Sequence, residues 1–349
     1  MHKSGGRAIR GMGASRWVTL LLLTLISIYF GLRIASGAAT AMLDSPFDGN
    51  AGAAVDVTIS PGDSAAQVAT MLQREGIIRS SRGLRWWMRW SGTAGAIQTG
   101  LYRFRGPATL REVSRVITEG RVLLASVTVI EGSTRWQVAE ALAAAGFGSY
   151  DEAWEATGNA ALIADVDPEA TDLEGYLFPD TYHAPRDAGA DDIVDMMVAR
   201  FRALWTEERA AAAAAADLSV RQVVTIASLV EAETARAAER PLVSGVYHNR
   251  LRDGMLLQCD PTLLYALYLE GRRDRNIRRA DFDNPSPYNT YRVRGLPPGP
   301  IGNPGLASLD AALHPADTEF LYFVGRNDGS HAFARTLREH NANVNRYQR

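Results

Sequence analysis

The chain has 349 residues, 46% of them hydrophobic, with 37 Lys and Arg against 39 Asp and Glu and a formal charge of -2. That length leaves room for about two domains beside any anchor, and the scattered basic residues give no electrostatic case for a nucleic-acid partner. Cys259 is the only cysteine, so an intrachain disulfide is excluded and stability has to come from packing.

Lys3, Arg7, Arg10 and Arg16 precede an uncharged run from Trp17 to Leu32. We read residues 1–16 as a cytoplasmic segment and 17–36 as a transmembrane helix. The run is slightly shorter than a spanning helix prefers, but Arg33 can snorkel and Ile34 to Leu43 continue apolar. The positive-inside rule then puts the remainder outside the cytoplasmic (inner) membrane, with a single pass. The competing reading is a signal peptide cut near Ala39-Thr40-Ala41, where small residues fit a peptidase site; the retained anchor is preferred. Residues 37–54, ending in DSPFDGNAGAA, read as a linker.

An internal repeat follows. Val57 to Gly76 (VTISPGDSAAQVATMLQREG) aligns without gaps on Val127 to Gly146 (VTVIEGSTRWQVAEALAAAG), at a constant offset of 70 residues. Each copy reads as a β-branched strand, a glycine turn, a Ser or Thr helix start and a helix ended by glycine. Between the copies, Gly100 to Phe104 reads as a strand, and Thr109 with Glu112 forms a capping box for a further helix. Trp86, Trp87 and Trp90 are candidates for stacking on a sugar, but in a short helix we expect them in the core.

From Asp151 to Glu208 the pattern is mostly helical, broken at Asp172 to Tyr182, where Glu174, Tyr176 and Tyr182 are candidate ligand contacts. The stretch Ser219 to Asn249 carries the strongest helix signal. Ser219 and Gln222 form a capping box, and Val223, Ala227, Val230, Thr234 and Ala238 share one face of a wheel. Glu231 falls inside that apolar arc without an evident partner, so we expect a raised pKa suited to a general acid. Glu233 points the other way, toward Arg236, and is expected to form a surface ion pair.

His183, His248, His314, His331 and His340 lie far apart, with no metal-ligand spacing. Walker, GxGxxG and GxSxG patterns are absent.

The strings EGYLFPDT (from Glu174), ASLVEAET, LQCDPT (from Leu257), NPSPYNTY (from Asn284) and RGLPPGP recur together and in order. From Val55 to the C-terminus the chain resembles the MltG/YceG-like endolytic murein transglycosylases. The resemblance implies an α+β protein, with a LysM-like β/α subdomain over 55–125 and a YceG-like mixed α/β catalytic domain over 126–349. For the first of these, glycan contact and plain spacing are equally open. It implies cleavage of the β-1,4 bond between N-acetylmuramic acid and N-acetylglucosamine in peptidoglycan without water, leaving a 1,6-anhydro end, with no cofactor. It places the acid/base on Glu231, and substrate contacts on Gln258, Asp260, Asn289, Tyr291, Glu174 and His331. Implied partners are peptidoglycan glycan strands and membrane-bound synthases such as penicillin-binding proteins. Cys259 stands where relatives carry Thr or Ser, leaving its role open. A hydrolase using Asp260 or Glu233 to activate water, and an inactive glycan-binding scaffold, are the alternatives; the hydrolase needs a second carboxylate at a defined separation.

Overall fold

A computed structural model describes residues 12–274 and 276–348; most of the basic segment preceding the apolar run lies outside the described residues. Helix α1 spans Met12–Asp44, and its part Trp17–Asp44 has a mean hydropathy of 2.0 over the most apolar window. The helix continues through residues 37–44, which the sequence reading assigned to a linker. The Ala-rich stretch offers no breaker before Pro46, which constrains Ser45 away from helix.

The chain divides into two compact units, residues 1–123 and 124–349. In the first, strand β1 (Val55–Ile59), helices α2 (Ala65–Arg74) and α3 (Ser81–Trp90), strand β2 (Gly100–Phe104) and helix α4 (Leu110–Thr118) follow α1. The two strands pair antiparallel, Val55 opposite Phe104 and Ile59 opposite Gly100. Val57, Val68, Leu72, Leu84, Met88 and Tyr102 form the core of this unit, joined by Leu43 from the end of α1. Both expected helix starts occur as capping boxes, Ser64 with Gln67 and Thr109 with Glu112.

Of the three tryptophans of α3, Trp87 packs against this core as expected, and the other two correct the expectation. Trp86 and Trp90 are 47% and 70% exposed, because Gly83, Leu84 and Met88 are the residues that α3 turns inward.

The second unit contains strand β3 (Leu124–Thr128), helices α5 (Arg135–Ala145) and α6 (Tyr150–Thr157), strand β4 (Thr181–Pro185), and helices α7 (Ala190–Leu204), α8 (Glu207–Ala215), α9 (Val220–Glu233), α10 (Arg240–Arg252), α11 (Asp260–Leu269) and α12 (Leu306–Leu313). Strands β5 (Tyr322–Gly325) and β6 (His331–Ala334) and helix α13 (Leu337–Tyr347) complete it. The second repeat copy folds as the first does, with Thr134 and Gln137 boxing α5 and Gly146 capping it at φ 86°. Its strand β3 pairs antiparallel with β4, Val127 opposite Tyr182, so the aromatic break in the helical pattern ends in a strand.

Helix α9 lies at the centre, with every residue from Val223 to Val230 buried. Gly175, at φ +88°, backs onto it: a Cβ there would sit 2.5 Å from Pro300 Cγ and 2.7 Å from Val224 Cγ1, so only glycine fits. The arrangement is α+β, helices packed with short antiparallel strand pairs, as the sequence implied.

Candidate active site

Ser219 caps α9, accepting the Gln222 N–H, and Gln222 answers as the other half of the box. The helix stops at Glu233. Thr234 is extended (φ -140°, ψ 127°), its buried hydroxyl accepts the Arg236 N–H at 3.1 Å, and α10 restarts at Arg240-Pro241. Proline suits the first turn of a helix and cannot continue one. The wheel drawn through Ala238 therefore fails beyond Glu233. Two positions apart on a helix is about 200° of rotation, so Glu231 and Glu233 serve different cavities.

Glu231 is not without a partner, as the sequence had suggested. Its Oε1 accepts Arg240 Nη2 at 2.8 Å and its Oε2 accepts the Gly305 N–H at 3.0 Å. Arg240 lies nine positions on, across the helix break, where no helical spacing reveals it. The same guanidinium reaches Glu131 at 3.5 Å, and a side chain at Gly305 would collide with Glu131. Glu231 and Glu131 line a cavity of about 510 Å³ with Trp136, Gln137, Tyr268 and Arg273.

Glu233 is the carboxyl without an Arg or Lys partner among the described residues; the nearest cationic influence is His331. The expected ion pair with Arg236 is absent, because that guanidinium donates instead to the carbonyls of Gly329 (2.9 Å) and Asp328 (2.6 Å). Glu233 Oε1 accepts the Tyr247 hydroxyl at 3.0 Å. Burial raises its pKa above the ordinary value, against the opposing hydrogen bonds from the Cys259 thiol and Tyr247. The carbonyl end of α9 adds to the disfavour for negative charge there. The position that the sequence left open at Cys259 is thus a contact of this carboxyl.

Four of the residues assigned to substrate gather with Glu233 around one cleft of about 430 Å³: Gln258, Asp260, Tyr291 and His331. Asp260 opens α11 and accepts the Tyr291 hydroxyl. Gln258 adopts φ 50°, a strained value for a residue with a side chain. The turn is held by the Gln258 N–H on Thr290 O (3.1 Å) and the Cys259 N–H on Thr290 Oγ1 (3.0 Å). His331 Nδ1 lies 2.6 Å from Glu239 Oε2. Arg250, from α10, braces the cleft wall through Leu257 O (2.7 Å) and Leu321 O (2.6 Å).

Two assigned residues face inward. Asn289 is fully buried; its amide donates to Phe282 O and Asn284 O and its carbonyl accepts the Tyr291 N–H, so it shapes the loop that presents Tyr291. Glu174 is also buried. It accepts the Arg135 N–H (2.9 Å) and the Tyr265 hydroxyl (3.0 Å), with Asn303 Nδ2 at 3.3 Å. Burial pushes its pKa up to about 8. Tyr176 and Tyr182 are likewise internal, their hydroxyls on Asp167 and on Phe178 O. Sequence reasoning missed Tyr247, Glu131, Arg240 and Glu239, whose proximity depends on segments folding together. Among the described residues, no group of three or more His, Cys, Asp or Glu is placed to hold a metal ion.

The chain is similar to several known proteins. The endolytic murein transglycosylase of Bacillus subtilis (strain 168) is 32% identical over 318 residues, covering 86% of this chain and 87% of the relative. That of Streptococcus pneumoniae serotype 2 (strain D39) is 27% identical over 362 residues, covering 93% of this chain and 63% of the relative. The crystal structure of a yceG-like protein from Listeria monocytogenes superposes with a TM-score of 0.57 at 29% identity, covering 84% of this chain and 99% of that one. The model of the YceG-like family matches residues 57–346, and the chain belongs to that family.

Proposed function

We propose that this protein is a membrane-anchored endolytic lytic transglycosylase acting on peptidoglycan glycan strands, with Glu233 as its acid/base. The observation that carries the assignment is a half-buried carboxyl whose pKa is raised by desolvation, with no Arg or Lys ion pair among the described residues, opening on the cleft that holds Gln258, Asp260, Tyr291 and His331. A general acid needs a proton available near neutral pH. Glu233 protonates the glycosidic oxygen as the C1–O bond breaks. The resulting carboxylate takes the proton of the muramoyl C6 hydroxyl while that oxygen bonds to C1, closing the 1,6-anhydro ring. The carboxyl ends protonated, and no water is consumed. Tyr247 steadies the carboxylate between the two transfers.

Glu231, the choice of the sequence motif, is the competing acid/base. Against it stands the geometry: Arg240 Nη2 lies on its Oε1 at 2.8 Å and the Gly305 N–H on its Oε2 at 3.0 Å, so both carboxyl oxygens are already engaged by the protein. Asp260, in the same cleft, keeps a hydrolytic reading in play, since it is the second carboxylate that a hydrolase needs. Mass spectrometry of glycan digests separates the outcomes: 1,6-anhydro ends for the transglycosylase, reducing ends for a hydrolase, and no cleavage for a binding scaffold. We expect Glu233→Gln to lower kcat by at least ~10², the usual scale of general acid–base catalysis, and Glu231→Gln to lower it less. The reverse order would transfer the role to Glu231.

In this proposal residues 1–16 lie in the cytoplasm, α1 crosses the inner membrane, and the chain after α1 lies outside it. There the enzyme meets nascent strands beside membrane-bound synthases such as penicillin-binding proteins and ends their polymerisation.

A further inference from the structure

Helix α3 has the sequence SRGLRWWMRW, with three arginines, three tryptophans and no acidic or amide side chain. Its inward residues are Gly83, Leu84 and Met88. On the outward face, Arg82, Arg85 and Arg89 follow one stripe at helical spacing and Trp86 and Trp90 the next. The indoles of Trp86 and Trp90 stack on each other at 6.3 Å. None of these three arginines forms an ion pair or side-chain hydrogen bond among the described residues.

The position of α3 bears on what covers this face. A Cβ at Gly83 would lie 3.3 Å from the Met42 thioether, so the first turn of α3 abuts the end of α1. Arg111 ties the same corner, pairing with Asp44 at 2.8 Å and lying over Trp87 at 4.5 Å. The apolar helix Trp17–Asp44 has 28 residues, about 42 Å at 1.5 Å per residue, against about 30 Å for a hydrocarbon core. Its last turns, and α3 with them, therefore lie close to the headgroup layer.

We propose that the Arg82/Arg85/Trp86/Arg89/Trp90 face of α3 seats in the anionic headgroup layer of the bilayer that α1 spans. The inference rests on the reading of α1 as a membrane anchor. Tryptophans concentrate at that depth, and arginines beside them attract anionic lipid. A sugar ligand is less well served, because the helix offers no carboxylate or amide to accept its hydroxyls. With two points of attachment, the first unit is held against the membrane rather than swinging on α1.

The full chain, reconstituted in nanodiscs of phosphatidylcholine with phosphatidylglycerol and a trace of headgroup nitroxide lipid, tests this by tryptophan quenching. The parent should lose more emission than the Trp86→Phe/Trp90→Phe variant, Trp17 being common to both. Replacing Arg82, Arg85 and Arg89 by Gln, or omitting phosphatidylglycerol, should remove most of that difference. Equal quenching of parent and variant in loaded discs would overturn the proposal. So would shielding of the pair by soluble peptidoglycan fragments without any lipid effect, which would assign the face to glycan. A chain that fails to enter discs at all would instead count against the anchor.

Discussion

Two glutamates on one helix end in opposite electrostatic situations, and the difference is set by residues far away in the chain. Arg240 holds Glu231 as an ion pair, whereas Tyr247 and the Cys259 thiol are what the Glu233 carboxyl meets. The Tyr247 hydroxyl favours the charged form of Glu233, so Tyr247→Phe should push its pKa further up. The high-pH limb of kcat/KM should then move to higher pH. Turnover should fall about tenfold, for a hydrogen bond to a charged group of about 1.5 kcal/mol. A pH profile of anhydromuropeptide release measures both, and an unmoved limb would uncouple Tyr247 from the acid/base. Cys259→Ser keeps a donor at the same place and should move the limb less than Tyr247→Phe.

The elements around α9 act as a frame for those side chains. Ser219→Ala removes the cap of α9 and should destabilise the chain by about 1 kcal/mol, read as a lower midpoint in urea with unchanged slope. Glu174 joins the start of α5 to Tyr265 of α11 and to Asn303. Burial raises its pKa from an ordinary 4.5 to about 8, so between those values the folded chain binds a proton that the unfolded chain has released. Its contribution is full below pH 4.5 and is lost as pH rises through about 8, with a slope of at most ~1.4 kcal/mol per pH unit. Urea midpoints across that range should fall with pH in the parent and more gently in Glu174→Gln. Equal slopes would mean that Glu174 is ionised in the fold.

At the scale of the whole molecule, the proposed chemistry and the proposed anchor make one prediction about cells. An enzyme tethered at the bilayer meets strands as they emerge from synthases, so cells relying on the inactive Glu233→Gln protein should carry longer glycan strands than the parent. Chromatographic strand-length distributions give the answer; unchanged lengths would remove the role in ending polymerisation while leaving the cleavage chemistry to its products. Intact-mass measurement of the mature chain tests the anchor separately: a start near Ala41 or Met42 would replace it by a cleaved signal peptide.

What the sequence determined by itself was local. The apolar run of α1, the capping boxes at Ser219 and Thr109, the glycine C-cap at Gly146 and the duplicated strand-turn-helix all follow from short-range rules of propensity, hydrogen bonding and handedness, and the motif strings carried the family. The family resemblance pointed to Gln258, Asp260, Tyr291 and His331, which line one cleft with Glu233. What the tertiary structure decided was long-range. The break at Thr234 ended the helical wheel at Glu233, and chain packing set Arg240 on Glu231, drew Arg236 to Asp328 and Gly329, and buried Glu174 and Asn289. Charge partners and burial depend on which distant segments meet, and no spacing along the chain encodes those meetings.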